Sequence, residues 1–270
     1  MANTISTAFV KQFESEVHMA YQRMGSKLRN TVRTVSNVTG NTVRFQKIGT
    51  GSANTKSRNG LITPMELAHT TVECTLEDFY APEYIDKLDE LKTNIDERQA
   101  VAQSAAAALG RKTDEILIAA MDAGANSTQI HDTSSAVEKA DLLSVFETFG
   151  SANLPEDGGR FIAMHPKGFA DLFLITEFAS SDFVGDQNLP YAGGMTMKQF
   201  LGFNIFSTSA VAAGKSMCYH TSSVGLAIGA DVSTEINYEA PRVAHLVNAM
   251  MSMGATVIDD NGIYELLDNN

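Results

Sequence analysis

The sequence predicts an α+β fold, and three observations predict it. A helical period runs from Asn94 to Gly124, a strand period of two runs from Val243 to Ile258, and short helix and strand patterns alternate between them. The composition supports a folded chain with a real core: 270 residues, 44% apolar side chains, 19% charged and a mean hydropathy of -0.08. No apolar run reaches the roughly 18 residues that span a bilayer, so no membrane association is expected. Lys11, Glu14, Glu16 and Arg23 interrupt the first residues as no secretory leader allows, and a cytoplasmic setting is expected.

The first element reads as an amphipathic helix, with Ile5, Phe9, Phe13 and Val17 recurring on one face. After Gly25 the chemistry becomes that of strands: Thr31 to Val38, a turn at Thr39, Gly40 and Asn41, then Thr42 to Ile48, which together predict a hairpin. From Gly49 to Asn59 the chain has one alanine and no larger apolar side chain, so nothing in it repays the entropy of ordering; a neighbour must hold it or it stays mobile. His69 to Leu76 alternates, with Val72, Cys74 and Leu76 on one face, which predicts a half-exposed strand.

Asn94 and Glu97 have the spacing of a capping box, and the helix they open carries Val101, Ala105, Leu109 and Ile116 before stopping at Gly124. Ala105 to Ala108 followed by Gly110 removes bulk from its middle, which predicts that another backbone passes close by. A polar stretch, Ala125 to Ser135, then leads to a helix with Leu142, Phe146 and Phe149, a strand from Phe161 to Met164, and a helix with Phe169, Leu172 and Phe173. Three further strands are expected at Phe203–Ser209, Met217–Ile228 with a break near Ser222, and Ser233–Tyr238, forming a small mixed sheet. In the last run Val247, Ala249, Met251, Met253, Ala255 and Val257 share a face, and its length of about 50 Å far exceeds a usual strand.

Twenty basic and 32 acidic residues give a net charge of -12, which argues against a dedicated nucleic-acid reader. The charge is uneven: residues 1–60 hold nine Lys or Arg and only Glu14 and Glu16. That basic segment can be a solvated face, or an arm that lies on the acidic body of another copy.

Catalytic chemistry is not found in the pattern. Ser209 to Ser216 ends in Gly214-Lys215-Ser216 but has serine where a phosphate loop needs its first glycine, and it precedes a strand rather than a helix. His18, His69, His131, His165, His220 and His245 include no pair at a metal-chelating helical spacing. Asp259 and Asp260 beside Asn261-Gly262 read as a turn, and Cys74 and Cys218 as buried free thiols. No catalytic, cofactor-binding or metal-binding residue is therefore assigned, and no enzyme activity is expected.

The order of parts resembles the major capsid protein of tailed bacteriophages, the Hong Kong 97-type capsid fold. Echoes of that family are Asn94-Ile-Asp-Glu-Arg through Ala108-Leu-Gly-Arg-Lys-Thr-Asp-Glu-Ile-Leu in the long helix, Met253-Gly-Ala-Thr-Val-Ile-Asp-Asp-Asn-Gly-Ile-Tyr near the end, and Tyr219-His-Thr-Ser-Ser-Val-Gly-Leu-Ala-Ile-Gly before the last long strands. The resemblance implies an N-terminal arm at 1–28 and an extended loop hairpin at 29–70. It further implies a peripheral domain at 71–137 and 231–258 with a spine helix at 95–123, and an axial domain at 138–230 and 259–270. It implies self-assembly through pentamers and hexamers into an icosahedral shell around double-stranded DNA, touched non-specifically, in a virion capsid built in the bacterial host cytoplasm. Because the arm begins at the first residues, the resemblance implies a separately encoded scaffolding protein or none, together with a portal and, as a further candidate partner, a decoration protein. Some members cross-link a loop lysine to a neighbour; Lys56 lies in such a loop, but no motif here assigns it a partner. An encapsulin-like compartment shell around protein cargo is the nearest alternative, and an α/β enzyme with an unrecognised site the more distant one.

Overall fold

A computed structural model describes residues 25–90, 97–125, 130–133, 136–179 and 196–268. The expected helix around Ile5 to Val17 and the Asn94 cap lie outside the described residues. In chain order the elements are a 3-10 turn (Arg29–Thr31), β1 (Arg33–Val35), β2 (Thr42–Ile48), β3 (His69–Thr75), β4 (Glu77–Asp86), α1 (Lys87–Glu90) and α2 (Glu97–Gly124). Next come β5 (Ile130–Thr133), α3 (Lys139–Ser151), β6 (Arg160–Met164), α4 (Pro166–Asp171) and α5 (Thr176–Ala179). The chain ends with β7 (Lys198–Phe200), β8 (Phe203–Ser207), β9 (Lys215–His220), β10 (Val224–Glu239), β11 (Ala244–Val257) and β12 (Ile263–Asp268).

Three sheets result: a four-stranded one ordered β1-β10-β11-β4, a six-stranded one ordered β5-β12-β9-β6-β8-β7, and the pair β2-β3. The helix α2 lies across the four-stranded sheet. Leu109, Leu117 and Met121 on its buried side and Ala249, Met251 and Met253 on β11 belong to one core. The alternation read in the sequence is what makes this possible, since every second residue of β11 faces the helix while its neighbours face away.

The six-stranded sheet is covered on both faces. Ala163, Met217 and Tyr219 point into the core shared with α2, whereas Ile162, Met164 and Cys218 point into a second core with Leu142, Val145 and Phe149 of α3 and Phe169 of α4. Burial on both faces explains why the apolar residues run without alternation in β6, from Phe161 to Met164, and in the middle of β9, from Met217 to Tyr219.

Several expectations are corrected. Residues 31–48 do not form a hairpin: β1 pairs in parallel with β10, and β2 pairs with β3 from Thr42↔Thr75 to Ile48↔His69. Asn37, at φ 59°, turns the chain away after β1, and Val38 N–H then donates to Ile228 O at 3.1 Å, so the true hairpin closes around the polar loop instead. The polar stretch after α2 contains β5, which joins β12 in parallel. On α3 the third buried residue is Val145, one position from the expected Phe146, which is 41% exposed. The break expected near Ser222 is the 3-10 turn over Thr221–Ser223, but the strand after it does not stop at Ile228: β10 runs on, through register shifts between Ile228 and Ser233, to include the strand expected at 233–238. Its partner β11 pairs along nearly its whole length, and interstrand pairing rather than side-chain alternation carries β10 over that exposed stretch.

Candidate assembly surfaces

The chain entering at Gly25 is fastened to the body by polar contacts that only the fold brings together. Asp114, buried in the middle of α2, accepts from the Ser26 hydroxyl, from Lys27 N–H at 3.1 Å and from Leu28 N–H at 3.1 Å. One turn earlier Gly110 leaves space for this strap: a Cβ there would lie 2.8 Å from Gly25 Cα. The expectation from the Ala-rich stretch, a backbone passing close by, is met at this point. Lys27 Nζ donates to Ser207 O at 2.7 Å, and the Thr31 hydroxyl pairs with Tyr219 OH. Leu28 is fully buried.

Arg29 closes the strap with two hydrogen bonds to the Asp231 carboxylate, at 2.8 and 2.6 Å. The guanidinium donates to Asp231 and holds that carboxyl below the usual carboxylate range, while Arg29 itself is raised by the same bonds. A depressed carboxyl stabilises the fold above its unfolded value, and this contribution fades as pH falls through the lower folded value. Both side chains are partly exposed, so the pair contributes about 0–1 kcal/mol. Asp231→Asn is expected to flatten the acid limb of stability by that amount, measured by urea unfolding between neutral pH and pH 3; an unchanged limb counts against the pair.

The β2–β3 hairpin is held at its base and open at its end. Phe45, Cys74 and Leu76 pack with Ala227 and Ile258, and Gly225 lies directly under the Phe45 ring. Lys47 reaches Asp259 at 2.9 Å. Beyond the Gly49 N–H to Ala68 O bond the loop is exposed, with Leu61 97% and Ile62 76% accessible. Two such aliphatic side chains are not left in water without cost, since each loses about 1.5–3 kcal/mol relative to burial. We expect trypsin to cut at Lys56 and Arg58 in free subunits and not in assembled particles, read by gel electrophoresis; equal cutting would remove the loop from the interface.

Two more apolar surfaces are exposed. At the far end of the four-stranded sheet Tyr80 and Tyr84 are open on one face and Ile236 and Tyr238 on the other, with Arg242 stacked 4.4 Å from the Tyr84 ring centroid. Around the six-stranded sheet, Leu143, Phe146 and Leu174 are open.

The residues weighed for chemistry are placed elsewhere. Lys215 of the Gly-Lys-Ser sequence forms ion pairs with Asp122 at 2.7 Å and Glu265 at 2.6 Å; hydrogen bonds to Asp122 and Glu265 raise its pKa, and both hold it away from any phosphate role. One arrangement escaped the sequence reading: His220 lies between the Ser222 hydroxyl at 2.7 Å and Asp157 Oδ1 at 3.1 Å. These are the residue types of a hydrolase triad, yet His220 Nδ1 also accepts Ser222 N–H at 3.2 Å, so the ring caps the turn that links β9 to β10. Asp157 is held low, first by Gly159 N–H and then by His220. Nothing in the spacing of Asp157 and His220 announces the pairing, which depends on β6 and β9 lying side by side. His165 likewise caps α4. Cys74 and Cys218 are buried free thiols, raised by burial. Among the described residues no His, Cys, Asp or Glu cluster is placed to hold a metal, and no described helix is long and apolar enough to cross a membrane.

A family model described as "Phage capsid protein" matches residues 5–267. Of solved structures, the capsid of the cyanophage P-SCSP1u aligns with a TM-score of 0.79 at 18% identity, covering 97% of this chain and 94% of that one. A structure from Mycobacterium phage Che8 aligns at 0.76 and 17% identity, covering 96% and 97%. A virus-like particle from Pyrococcus furiosus aligns at 0.60 and 12% identity, covering 90% and 92%. At these identities the structures share the fold. No curated protein matches the chain by sequence.

Proposed function

The chain belongs to the phage capsid protein family, and on that premise we propose how its surfaces are used. It is a structural protein of the Hong Kong 97-type fold, without enzymatic function, that associates with itself to form the shell of a virion capsid. In our reading the shell is icosahedral, built of pentamers and hexamers, assembled in the bacterial cytoplasm around a scaffolding protein and a portal, and filled with double-stranded DNA. A decoration protein is a further candidate partner on its outer face. The net charge of -12 suits a wall that does not grip its contents, because phosphate contacts come from Lys and Arg.

The observation that carries this reading is the exposed, apolar-tipped hairpin: Leu61 and Ile62 find no cover among the described residues. We assign the two-stranded hairpin and its loop as the extended loop, α2 with the four-stranded sheet as the peripheral domain, and the six-stranded sheet with α3 and α4 as the axial domain. The arm then ends before Gly25 rather than at Leu28, because Ser26 to Leu28 are fastened to Asp114.

Electron microscopy of the purified chain, alone and with its neighbouring genes, tests the reading. Uniform closed shells are expected, with nuclease-protected DNA in particles from infected cells. Shells holding only an enzyme cargo would make it a compartment instead, and a species that stays at 29.1 kDa under all conditions would overturn assembly.

A further inference from the structure

Asparagine is followed by glycine at two places in the chain, Asn59-Gly60 and Asn261-Gly262, and the fold treats the two pairs oppositely. Such a pair is chemically labile, because the glycine nitrogen, with no Cβ beside it, can swing round to the side-chain amide carbon of the asparagine before it. The freedom of the backbone decides whether it does. Asn59 is exposed, at φ 64°, in the bend within the polar loop. Outside the β2–β3 ladder, Gly49 N–H to Ala68 O at 2.8 Å and Gly60 N–H to Ser57 O at 3.0 Å are the only backbone hydrogen bonds of residues 49–68 among the described residues. One turn bond therefore holds the Gly60 nitrogen, and the cations Lys56 and Arg58 close to it favour the anion formed when that nitrogen loses its proton. Asn261 is exposed too, but its side-chain Nδ2 donates to Asp259 Oδ1 at 3.2 Å and its backbone N–H to the same oxygen at 3.1 Å. Gly262 N–H donates to Asp259 O at 3.3 Å, and Gly262 is packed so tightly that a Cβ there would collide with the Ser223 hydroxyl. Ile263 follows at once in the β12 ladder, opposite Tyr219, so this second pair is fixed on both sides.

We propose that Asn59 is a site of spontaneous covalent modification, at which its side-chain amide becomes a carboxylate through a cyclic imide formed with Gly60. The Gly60 nitrogen gives up its proton and attacks Asn59 Cγ; a nitrogen–carbon bond forms, the bond from Cγ to Nδ2 breaks, and the amide nitrogen leaves as ammonia. Water then adds to one of the two imide carbonyls and opens the ring. Opening on one side yields aspartate, and on the other isoaspartate, in which the backbone runs through the former side chain. No electron is gained or lost in either step. The charge of the loop changes with it. From Gly49 to Gly60 there is no acidic residue, only Lys56 and Arg58, so the product places the first carboxylate in the loop beside two cations. The use of this change rests on the shell-forming reading: the loop is free only until its chain enters a shell, and the carboxylate dates a chain by the time it has spent unassembled.

Peptide mapping by mass spectrometry tests the chemistry on the purified full chain, aged for weeks at neutral pH in water enriched in heavy oxygen. Asn59 is expected to take up one heavy oxygen and to appear as aspartate and isoaspartate, while Asn261 keeps its amide. In urea, where the fold no longer fixes Gly262, both are expected to convert at similar rates. Gly60→Ala is expected to slow the conversion at Asn59 at least about tenfold, because the added methyl group shields the attacking nitrogen. That variant keeps the melting temperature of the native chain, since a Cβ at Gly60 meets only Ser57, whose hydroxyl at 2.5 Å can rotate away. An Asn59 amide that survives in the folded chain as well as that of Asn261, or a Gly60→Ala chain that converts as fast as the native one, would overturn the proposal. Shells aged in parallel test the dating role, and Asn59 is expected to convert at least about tenfold more slowly in them. Equal conversion in shells and free chains would overturn that role while leaving the modification and the capsid reading intact; a chain that forms no particles would overturn the capsid reading and the dating with it, but not the modification.

Discussion

Gly254→Ala is expected to destabilise the subunit by about 3 kcal/mol and to abolish shell formation, although it adds a single methyl group. Gly254 lies in β11 where the chain leaving β3 crosses over the sheet. A Cβ at this position would meet Thr75 O at 2.1 Å, Thr75 C at 2.9 Å and Cys74 Sγ at 3.2 Å. Two of those atoms are backbone and cannot rotate away. The crossing strand would have to lift, pulling Leu76 and Cys74 out of the small core they share with Phe45 and Ile258. Since that core anchors the hairpin, the damage reaches the exposed loop, and with it the assembly role proposed for it, through the fold. Gly150→Ala on α3 is the control, because a Cβ there meets nothing within 4 Å; alanine in a helix is expected to be neutral or to stabilise by about 0.5–1 kcal/mol. Urea unfolding of both variants decides the matter. An unchanged midpoint for Gly254→Ala would mean that the strands do not cross so closely.

Asp114→Ala is expected to cost about 2–3 kcal/mol, because it leaves the buried Leu28 N–H without its acceptor and removes the part-buried bonds from Ser26 and Lys27. Each unpaired backbone N–H there costs about 1–3 kcal/mol, and the cavity adds to it. Asp114→Asn keeps one accepting oxygen and is expected to fall between alanine and the native residue. The same variants should expose the strap to trypsin at Lys27 and Arg29. Wild-type stability with wild-type resistance to cleavage would show that the strap is held by Leu28 and the Gly110 contact alone.

The sequence was most informative where one face of an element meets the core. The period of β11, the length of α2 and the alternation of β3 were each legible, because burial on one side imposes a repeat that a single chain displays. Gly110 could be read for the same reason: loss of bulk in a helix implies a close neighbour, though not which one. The exposed loop was legible as a segment with no apolar side chain larger than alanine from Gly49 to Asn59, while the exposed Leu61 and Ile62 just beyond it were not singled out. A two-residue apolar pair looks the same in a sequence whether it is covered or open.

What stayed hidden was pairing. The partner of β2, the parallel addition of β1, the inclusion of β5 and the unbroken course of β10 are all matters of backbone hydrogen bonding, to which every residue but proline contributes alike. The carboxylate of Asp114 and the ring of His220 have the same character, each bonded to groups that lie distant in sequence or whose donors carry no side-chain signature. By itself the sequence determined the class of fold, the long helix and strand, the uneven charge and the family resemblance, because side-chain chemistry repeats with the period of each element. Only the tertiary structure decided which strands are neighbours, where the chain entering at Gly25 is fastened and which sheet edge is left open, because those depend on backbone groups that are chemically identical along the chain.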